Sequence, residues 1–291
     1  MPKSRTQVAL VTGASSGIGF NVSKQLAAKG YKVYACARRT EPIEPLSKEF
    51  PGLIIPTKLD ISKELEILEL KKRLSEDLPE GKLDILYNNA GQSCTYPALD
   101  VSNIAMEQCF QVNVFGHINL CRELSQFLIN SQGTIVFTGS LAGIISFPFG
   151  SIYSATKAAI HAYARGLHLE LKPFNVRVIN VVTGGVDTNI ADTRPLPESS
   201  IYNFPAGLEA FQGRQKMAKN NHPISAEIYA KQVLDVVFSK KDPVDLYRGT
   251  MSTFLRYVAQ FVPYSILEYG LVAKFKLGKV FEVLKTKTKQ E

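Results

Sequence analysis

The sequence predicts an α/β fold: a doubly wound parallel sheet covered by helices, in a single domain with a lid insertion and C-terminal amphipathic helices. Strand-like and helix-like segments alternate from residue 8 to about residue 247, which places a parallel sheet between two helical layers. A glycine-rich turn directly follows the first strand. The length of 291 residues suits one large α/β domain or two small ones. With right-handed crossovers, the ligand crevice lies at the carboxyl ends of the strands, near the switch in strand order.

The elements follow in order. Val8–Thr12 is a short apolar run ending at a glycine, and residues 21–29 have helical character. Lys32–Ala37 reads as the second strand and 53–59 as the third. Ser62 opens a charged helix through Asp77, with Leu65, Leu68 and Leu74 expected on its buried side. Residues 84–87 form a short buried strand, 101–129 a long helix, and Thr134–Thr138 the next strand. A helix over 152–172 stops at Pro173, and 176–182 is a strongly β-branched strand. Residues 191–223, with Pro195, Pro197, Pro205 and Pro223, break the rhythm and read as an insertion over the crevice. A helix over 226–238 and a strand near 244–247 complete the pattern. The expected organisation is a nucleotide-binding core with catalytic residues over 1–190, a substrate lid over 191–225, the last helix and strand over 226–249, and an amphipathic, basic segment over 250–291.

Composition narrows the partners. Hydrophobic residues at 45% and charged residues at 21% are those of a globular chain. A net charge of +8 suits an anionic membrane surface or a phosphorylated small molecule. There is no basic run with interleaved aromatics and no zinc-finger spacing, so nucleic acid is not the expected partner. Lysines 274, 276, 279, 285, 287 and 289 face only Glu282 and Glu291 after Gly270, which concentrates half of the net charge in the tail. Cys36, Cys94, Cys109 and Cys121 are too scattered for a metal site or C-x-x-C pair, and a reducing compartment fits them. His161 and His168, two helical turns apart, read as a surface or core stripe. The first residues lack a secretory apolar region, so the chain is expected to face the cytosol.

The first turn reads Thr12-Gly13-Ala14-Ser15-Ser16-Gly17-Ile18-Gly19. Its glycines let the backbone turn tightly and approach a pyrophosphate, which then sits on a helix N-terminus. The second strand ends in Arg38 and Arg39, with no acid until Glu41. An acid would hold a ribose 2′-hydroxyl, whereas arginine welcomes a 2′-phosphate, so NADP(H) is the expected cofactor. The same turn also fits G-x-S-x-G, which would make Ser15 the nucleophile of a lipid ester hydrolase, with His161, His168 or His222 as base. A non-catalytic NADP-binding sensor is the third reading.

Gly13, Gly17 and Gly19, the run Asn88-Asn89-Ala90-Gly91, Ser140, and Tyr153-x-x-x-Lys157 occur in order and at the spacing that resembles the short-chain dehydrogenase/reductase family. The resemblance covers about residues 7–188 and implies a Rossmann-type NADP(H) enzyme. It implies that Asp60 brackets the adenine and that Asn89, Ala90 and Gly91 lie along the cofactor. Asn113 bends its helix to hold a proton-relay water, and Val186 and Thr188 meet the nicotinamide end. The chemistry stands independently. Tyr153 and Lys157 share one helix face, and an ammonium beside a phenol brings its pKa toward the working range. Ser140, at a strand end, can bind a carbonyl oxygen. One departure is Thr183-Gly184-Gly185 where many relatives have Pro-Gly, which is expected to loosen this loop.

The apolar run 141–150 and the lid residues Ile201, Tyr202, Phe204, Phe211 and Met217, beside Arg194, Arg214, Lys216 and Lys219, suit an acyl chain joined to a phosphate. Residues 86–100, 113–123, 194–204 and 242–250 are similar to a branch of the family that reduces 1-acyldihydroxyacetone phosphate to lysophosphatidic acid with NADPH, on endoplasmic reticulum and lipid droplets. That function in phosphatidic acid biosynthesis, at the cytosolic face of those membranes, is what the resemblance implies. Another hydrophobic ketone of steroid, retinoid or 3-ketoacyl type is the alternative. Met251, Phe254, Leu255, Val258 and Val262 recur at helical spacing, and Ile266, Leu267, Val272 and Phe275 continue after Pro263. No charge-free run there approaches the ~20 residues of a membrane span, so the choices are an interfacial helix pair with a lysine tail or helices packed on the domain. Ala155, Ala158, Ala159 and Ala162 give one helix a small-residue surface that suits either a homodimer contact or packing on the sheet.

Overall fold

The computed structural model describes residues 5–78 and 80–288; residues 1–4, Lys289 and Glu291 lie outside the described residues. Seven strands, β1 (Val8–Thr12), β2 (Lys32–Ala37), β3 (Ile54–Lys58), β4 (Ile85–Asn88), β5 (Thr134–Thr138), β6 (Arg177–Thr183) and β7 (Asp245–Arg248), form one sheet. Every neighbouring pair is parallel, in the order β3-β2-β1-β4-β5-β6-β7. The chain moves outward from β1 to β3 and then crosses back to β4 on the other side of β1. That reversal opens a crevice at the carboxyl ends of β1 and β4.

The helices are α1 (Gly17–Ala28), α2 (Glu44–Glu49), α3 (Glu64–Asp77), α4 (Asn103–Phe110), α5 (Gly116–Ser131), α6 (Ser151–Leu171), α7 (Pro205–Asn220), α8 (Ala226–Val237), α9 (Ser252–Phe261), α10 (Tyr264–Lys274) and α11 (Leu277–Thr288). Side chains alternate across each strand, so β1 feeds two cores. Ala9 and Val11 pack with Val22 and Leu26 of α1 and Val233 and Leu234 of α8. Leu10 packs on the other face with Leu70 and Leu74 of α3, Leu124 of α5 and Ile160 of α6. Full burial of each such leucine or isoleucine contributes roughly 1.5–3 kcal/mol.

The helical details depart from the sequence reading in two places. In α3 the buried stripe is Ile67, Leu70 and Leu74, whereas Leu65 is 74% exposed and Leu68 faces outward. Positions 67, 70 and 74 share one helical face, while 65 lies half a turn away from 74. The long helix over 101–129 is interrupted by a π-helical turn over Gln111–Phe115 between α4 and α5. Ser102 starts α4 by accepting a bond from the Ala105 amide at 3.3 Å. The six-residue α2 carries its proline in the first turn, where a missing amide hydrogen costs nothing.

Beyond the sheet, α7 and α11 pack together. Phe149, Ala210, Phe211 and Val280 form a third buried cluster, with Leu277 and Leu284 against it. Lys276 pairs with Glu209 at 2.5 Å. The C-terminal helix therefore clamps the lid helix. Between them and the sheet, α9 and α10 turn Leu255, Val258, Val262, Ile266, Leu267 and Leu271 toward the crevice.

Candidate active site

A cleft of about 1210 Å³ runs along the carboxyl ends of the strands and continues under the lid and α9–α10. Its first wall is the glycine turn. Gly13 and Gly17 adopt φ of +66° and +54°, a region that disfavours other residues. A side chain at Gly19 would meet the Gly13 carbonyl and lie 2.7 Å from Asn89 Nδ2. Ser16 caps α1 without a side-chain bond, so its hydroxyl does not occupy the first-turn amides. Ser15, Ser16, Gly17 and Ile18 line the cleft around that end. Glycines that hold a bare helix N-terminus at a cleft fit a pyrophosphate.

Asn89 is a strut rather than a free arm. Its amide and that of Ala90 donate to Thr12 Oγ1 at 2.9 and 3.0 Å, its Nδ2 donates to the Thr12 carbonyl at 3.0 Å, and its Oδ1 accepts from Thr138 Oγ1 at 3.2 Å. The ends of β1, β4 and β5 are thereby tied together. At the end of β2, Arg38 and Arg39 are exposed beside the cleft, and neither enters an ion pair among the described residues. Asp60 lines the cleft near them, but its Oδ1 accepts from the Ser62 amide and hydroxyl at 3.0 and 2.7 Å, so its carboxylate also builds the entry to α3. Two exposed arginines at this end fit the 2′-phosphate of NADP(H).

Ser140, Tyr153 and Lys157 meet at the next stretch of the cleft. The Ser140 amide donates to His161 Nε2 at 3.1 Å, its Oγ accepts from the Ala142 amide at 3.1 Å, and its side chain is near enough to Tyr153 to act on the phenol. Lys157 is buried; its Nζ donates to the Thr138 carbonyl at 2.9 Å and lies 5.7 Å from the Tyr153 ring centre. Burial lowers the Lys157 pKa to about 8. Burial raises that of Tyr153, opposed by the Ser140 hydrogen bond and by the positive charge of Arg214. Arg214 of the lid thus adds a second positive charge to the surroundings of the phenol, beside Lys157.

Asn113 sits in the π-helical turn and is fully buried. Its Nδ2 donates to the Gln92 carbonyl at 2.9 Å and to Thr156 Oγ1 at 3.0 Å, and its Oδ1 accepts from the Gln92 amide at 2.9 Å. Its amide hydrogens thus join the loop after β4 to α6. Gly91 lies against this group: a Cβ there would be 3.4 Å from Asn113 Oδ1 and 3.8 Å from Lys157 Nζ. After β6, Gly185 and Thr250 exchange backbone bonds at 2.9 and 3.0 Å, and the Asp187 amide donates to the Ile224 carbonyl at 2.9 Å. Those bonds pin the loop that lacks its proline, and Val186 and Thr188 line the cleft from it.

Two residues of this site escaped the sequence reading. His161 stands one helical turn after Lys157 on the same face, and that spacing was its signal. Its burial holds the pKa down at about 4, which keeps the ring neutral and able to accept from Ser140. His117, four residues after Asn113, joins the Ala90 carbonyl at 2.8 Å and Asn88 Oδ1 at 3.2 Å. His168 is bonded to the Val178 carbonyl at 2.9 Å. Among the described residues no histidine bonds Ser15, so a hydrolytic dyad at the glycine turn has no base in place.

Residues 7–198 match the family model described as short chain dehydrogenase. The chain belongs to the short-chain dehydrogenase family. It is 64% identical over 286 residues to the NADPH-dependent 1-acyldihydroxyacetone phosphate reductase of Saccharomyces cerevisiae, covering 98% of this chain and 96% of that protein. A reductase of the same name from Schizosaccharomyces pombe is 33% identical over 230 residues, 79% of this chain and 76% of that one. A solved short-chain dehydrogenase from Streptomyces avermitilis superposes with a TM-score of 0.77 at 27% identity, covering 97% and 99% of the two chains. This short-chain dehydrogenase is thus an oxidoreductase, with Ser140 just beyond β5 and Tyr153 and Lys157 on α6.

Proposed function

We propose that this short-chain dehydrogenase uses NADPH to reduce the ketone of a 1-acyldihydroxyacetone phosphate, forming a 1-acylglycerol 3-phosphate. The observation that carries the reading is the continuity of one cleft. Ser140, Tyr153 and Lys157 stand between the dinucleotide cradle and an apolar channel walled by α9 and α10. The 64% identity to the yeast reductase extends through the lid and the C-terminal helices, which build that channel.

The amides at the start of α1 receive the pyrophosphate, and Arg38 and Arg39 receive the 2′-phosphate. When bound, NADPH supplies the hydride that reduces the ketone carbon. The Tyr153 hydroxyl gives its proton to the ketone oxygen, and the Ser140 hydroxyl bonds the same oxygen. Lys157 stabilises the phenolate left on Tyr153. The test is NADPH consumption by the purified protein given 1-acyldihydroxyacetone phosphate, with NADH and Tyr153→Phe as controls. Turnover that requires NADPH and disappears in the variant is expected. Tight NADPH binding without turnover would discard the lipid-phosphate substrate.

The reading extends to a lipid surface. No described helix is long and apolar enough to cross a membrane. The outer faces of α9 and α10 expose Phe254, Tyr257, Phe261, Tyr264 and Tyr269, on the same helices that wall the channel. Aromatic side chains beside a lysine-rich end suit the interface of an anionic membrane, such as endoplasmic reticulum or lipid-droplet surface. Co-flotation with anionic vesicles, reduced in Phe254→Ser/Phe261→Ser, is expected; equal flotation of the variant would count against it.

A further inference from the structure

One buried arginine of the cleft has no anion among the described residues. Arg214 projects from the lid helix α7, is only 8% exposed and lines the cleft. No carboxylate pairs with it among the described residues, and its Nε is buried without a hydrogen-bond partner. The guanidinium lies 5.5 Å from the Phe147 ring centre. One terminal nitrogen stands so close to Gly150 that a Cβ there would come within 3.1 Å of it. Gly150 is the cap of α6; it offers no side-chain bond, and the first turn of that helix has no acid. The orphan amides and positive end of a 21-residue helix therefore converge with a buried arginine.

Burying an unpaired guanidinium opposes folding unless an anion completes the site. The other cations of the lid are already paired or exposed to solvent. Arg194 is paired with Asp192, and Lys216 and Lys219 are exposed. Arg38 and Arg39 stand at the far end of the cradle, beyond the glycine turn. In the proposed substrate, one methylene and one ester oxygen separate the ketone carbon from phosphorus. A ketone bonded to Tyr153 and Ser140 therefore carries its phosphate into the immediate surroundings, where Arg214 is close enough to Tyr153 to influence its ionisation.

We propose that Arg214, together with the first turn of α6, binds the phosphomonoester of the substrate and sets the preference for phosphorylated over neutral acylated ketones. This rests on the active-site reading above and assigns its headgroup end. Arginine suits the task because its planar fork matches two phosphate oxygens.

The experiment compares kcat/KM for 1-acyldihydroxyacetone phosphate with that for 1-acyldihydroxyacetone. Wild type is expected to prefer the phosphate ester by about 100-fold. Arg214→Gln should lose most of that preference through KM, Arg214→Lys should fall between, and Gln212→Ala, exposed on the same helix, should match wild type. An Arg214→Gln protein that keeps the wild-type preference overturns the proposal. So does equal loss on both ketones with KM unaffected. Arg214→Lys carries the comparison if the glutamine variant does not fold. Should wild type itself show no preference, the substrate reading fails separately. Arg214 is then judged by thermal protection of the NADP⁺-loaded protein by inorganic phosphate. Protection abolished in Arg214→Lys and Arg214→Gln sustains the anion site, and its absence from wild type overturns it.

Discussion

Acidification should loosen this protein through the two histidines that hold its active-site loops. His117 anchors the Ala90 carbonyl and His161 accepts from the Ser140 amide, and both are almost fully buried. Desolvation lowers their pKa values in the folded chain to about 3 and about 4. In the unfolded chain each returns to about 6.5. The folded values lie below the unfolded ones, so the unfolded chain takes up protons first as pH falls. The stability contribution is complete above pH ~6.5 and declines toward the folded values. At pH 5 the loss is about 2 kcal/mol for each histidine, or about 4 kcal/mol together. That is a large share of a typical net stability of ~5–15 kcal/mol. Lys157, lowered to about 8, titrates in a window above neutrality and does not contribute between pH 5 and 7.5. The assay is urea unfolding at both pH values, analysed for midpoint and slope. His117→Asn and His161→Gln should each reduce the acid-dependent loss by about 2 kcal/mol, whatever they cost at neutral pH. A wild-type stability that is flat between pH 7.5 and 5 would refute the argument. So would a loss that neither variant diminishes.

Four further outcomes are expected. Gly19→Ala should weaken NADPH binding at least ~10-fold, since its methyl meets the Gly13 carbonyl and the Asn89 amide; a fluorescence titration checks this. Arg38→Ala/Arg39→Ala should lower kcat/KM for NADPH by about 100-fold while altering that for NADH only a few-fold, measured with both cofactors. Ser15→Ala should raise KM for NADPH modestly and leave ketone reduction measurable, whereas complete loss of an ester-hydrolase signal in this variant would revive the nucleophile reading. Val280→Asp should destabilise the protein by about 3 kcal/mol in thermal or urea unfolding and raise KM for the acyl substrate, because α11 would release the lid.

Much of the fold was legible because period and punctuation survive in a single sequence. The strands Val8–Thr12, Lys32–Ala37 and Thr134–Thr138 have the bounds that their apolar runs and bordering turns imply. The glycine turn, the Ser140 strand end and the Tyr153–Lys157 helical face are local spacings, and each places its residues on one wall of the cleft. Less legible was α3, where leucines at four positions concealed which face the sheet would cover. Its buried stripe uses Ile67 and Leu70, and only the partner Leu124 on α5 distinguishes that face from Leu65. The π-helical turn has no compositional mark of its own, and it shows itself only in the bonds by which Asn113 joins Gln92 to Thr156.

The sequence alone determined the order of strands and helices, the nucleotide turn, the arginines at the end of β2 and the shared helical face of Tyr153 and Lys157. These depend on neighbours within a few residues, where backbone geometry links position to direction. Tertiary structure decided that a lid arginine adds its charge to the Tyr153 site, which histidine supports Ser140 and that α11 packs on the lid. Arg214 is 61 residues from Tyr153 in the chain, and Val280 is 69 from Phe211. Such pairs meet only after the lid has folded over the sheet and α11 has closed on the lid. Burial and charge at those meetings are properties of the packed chain, and no local spacing encodes them.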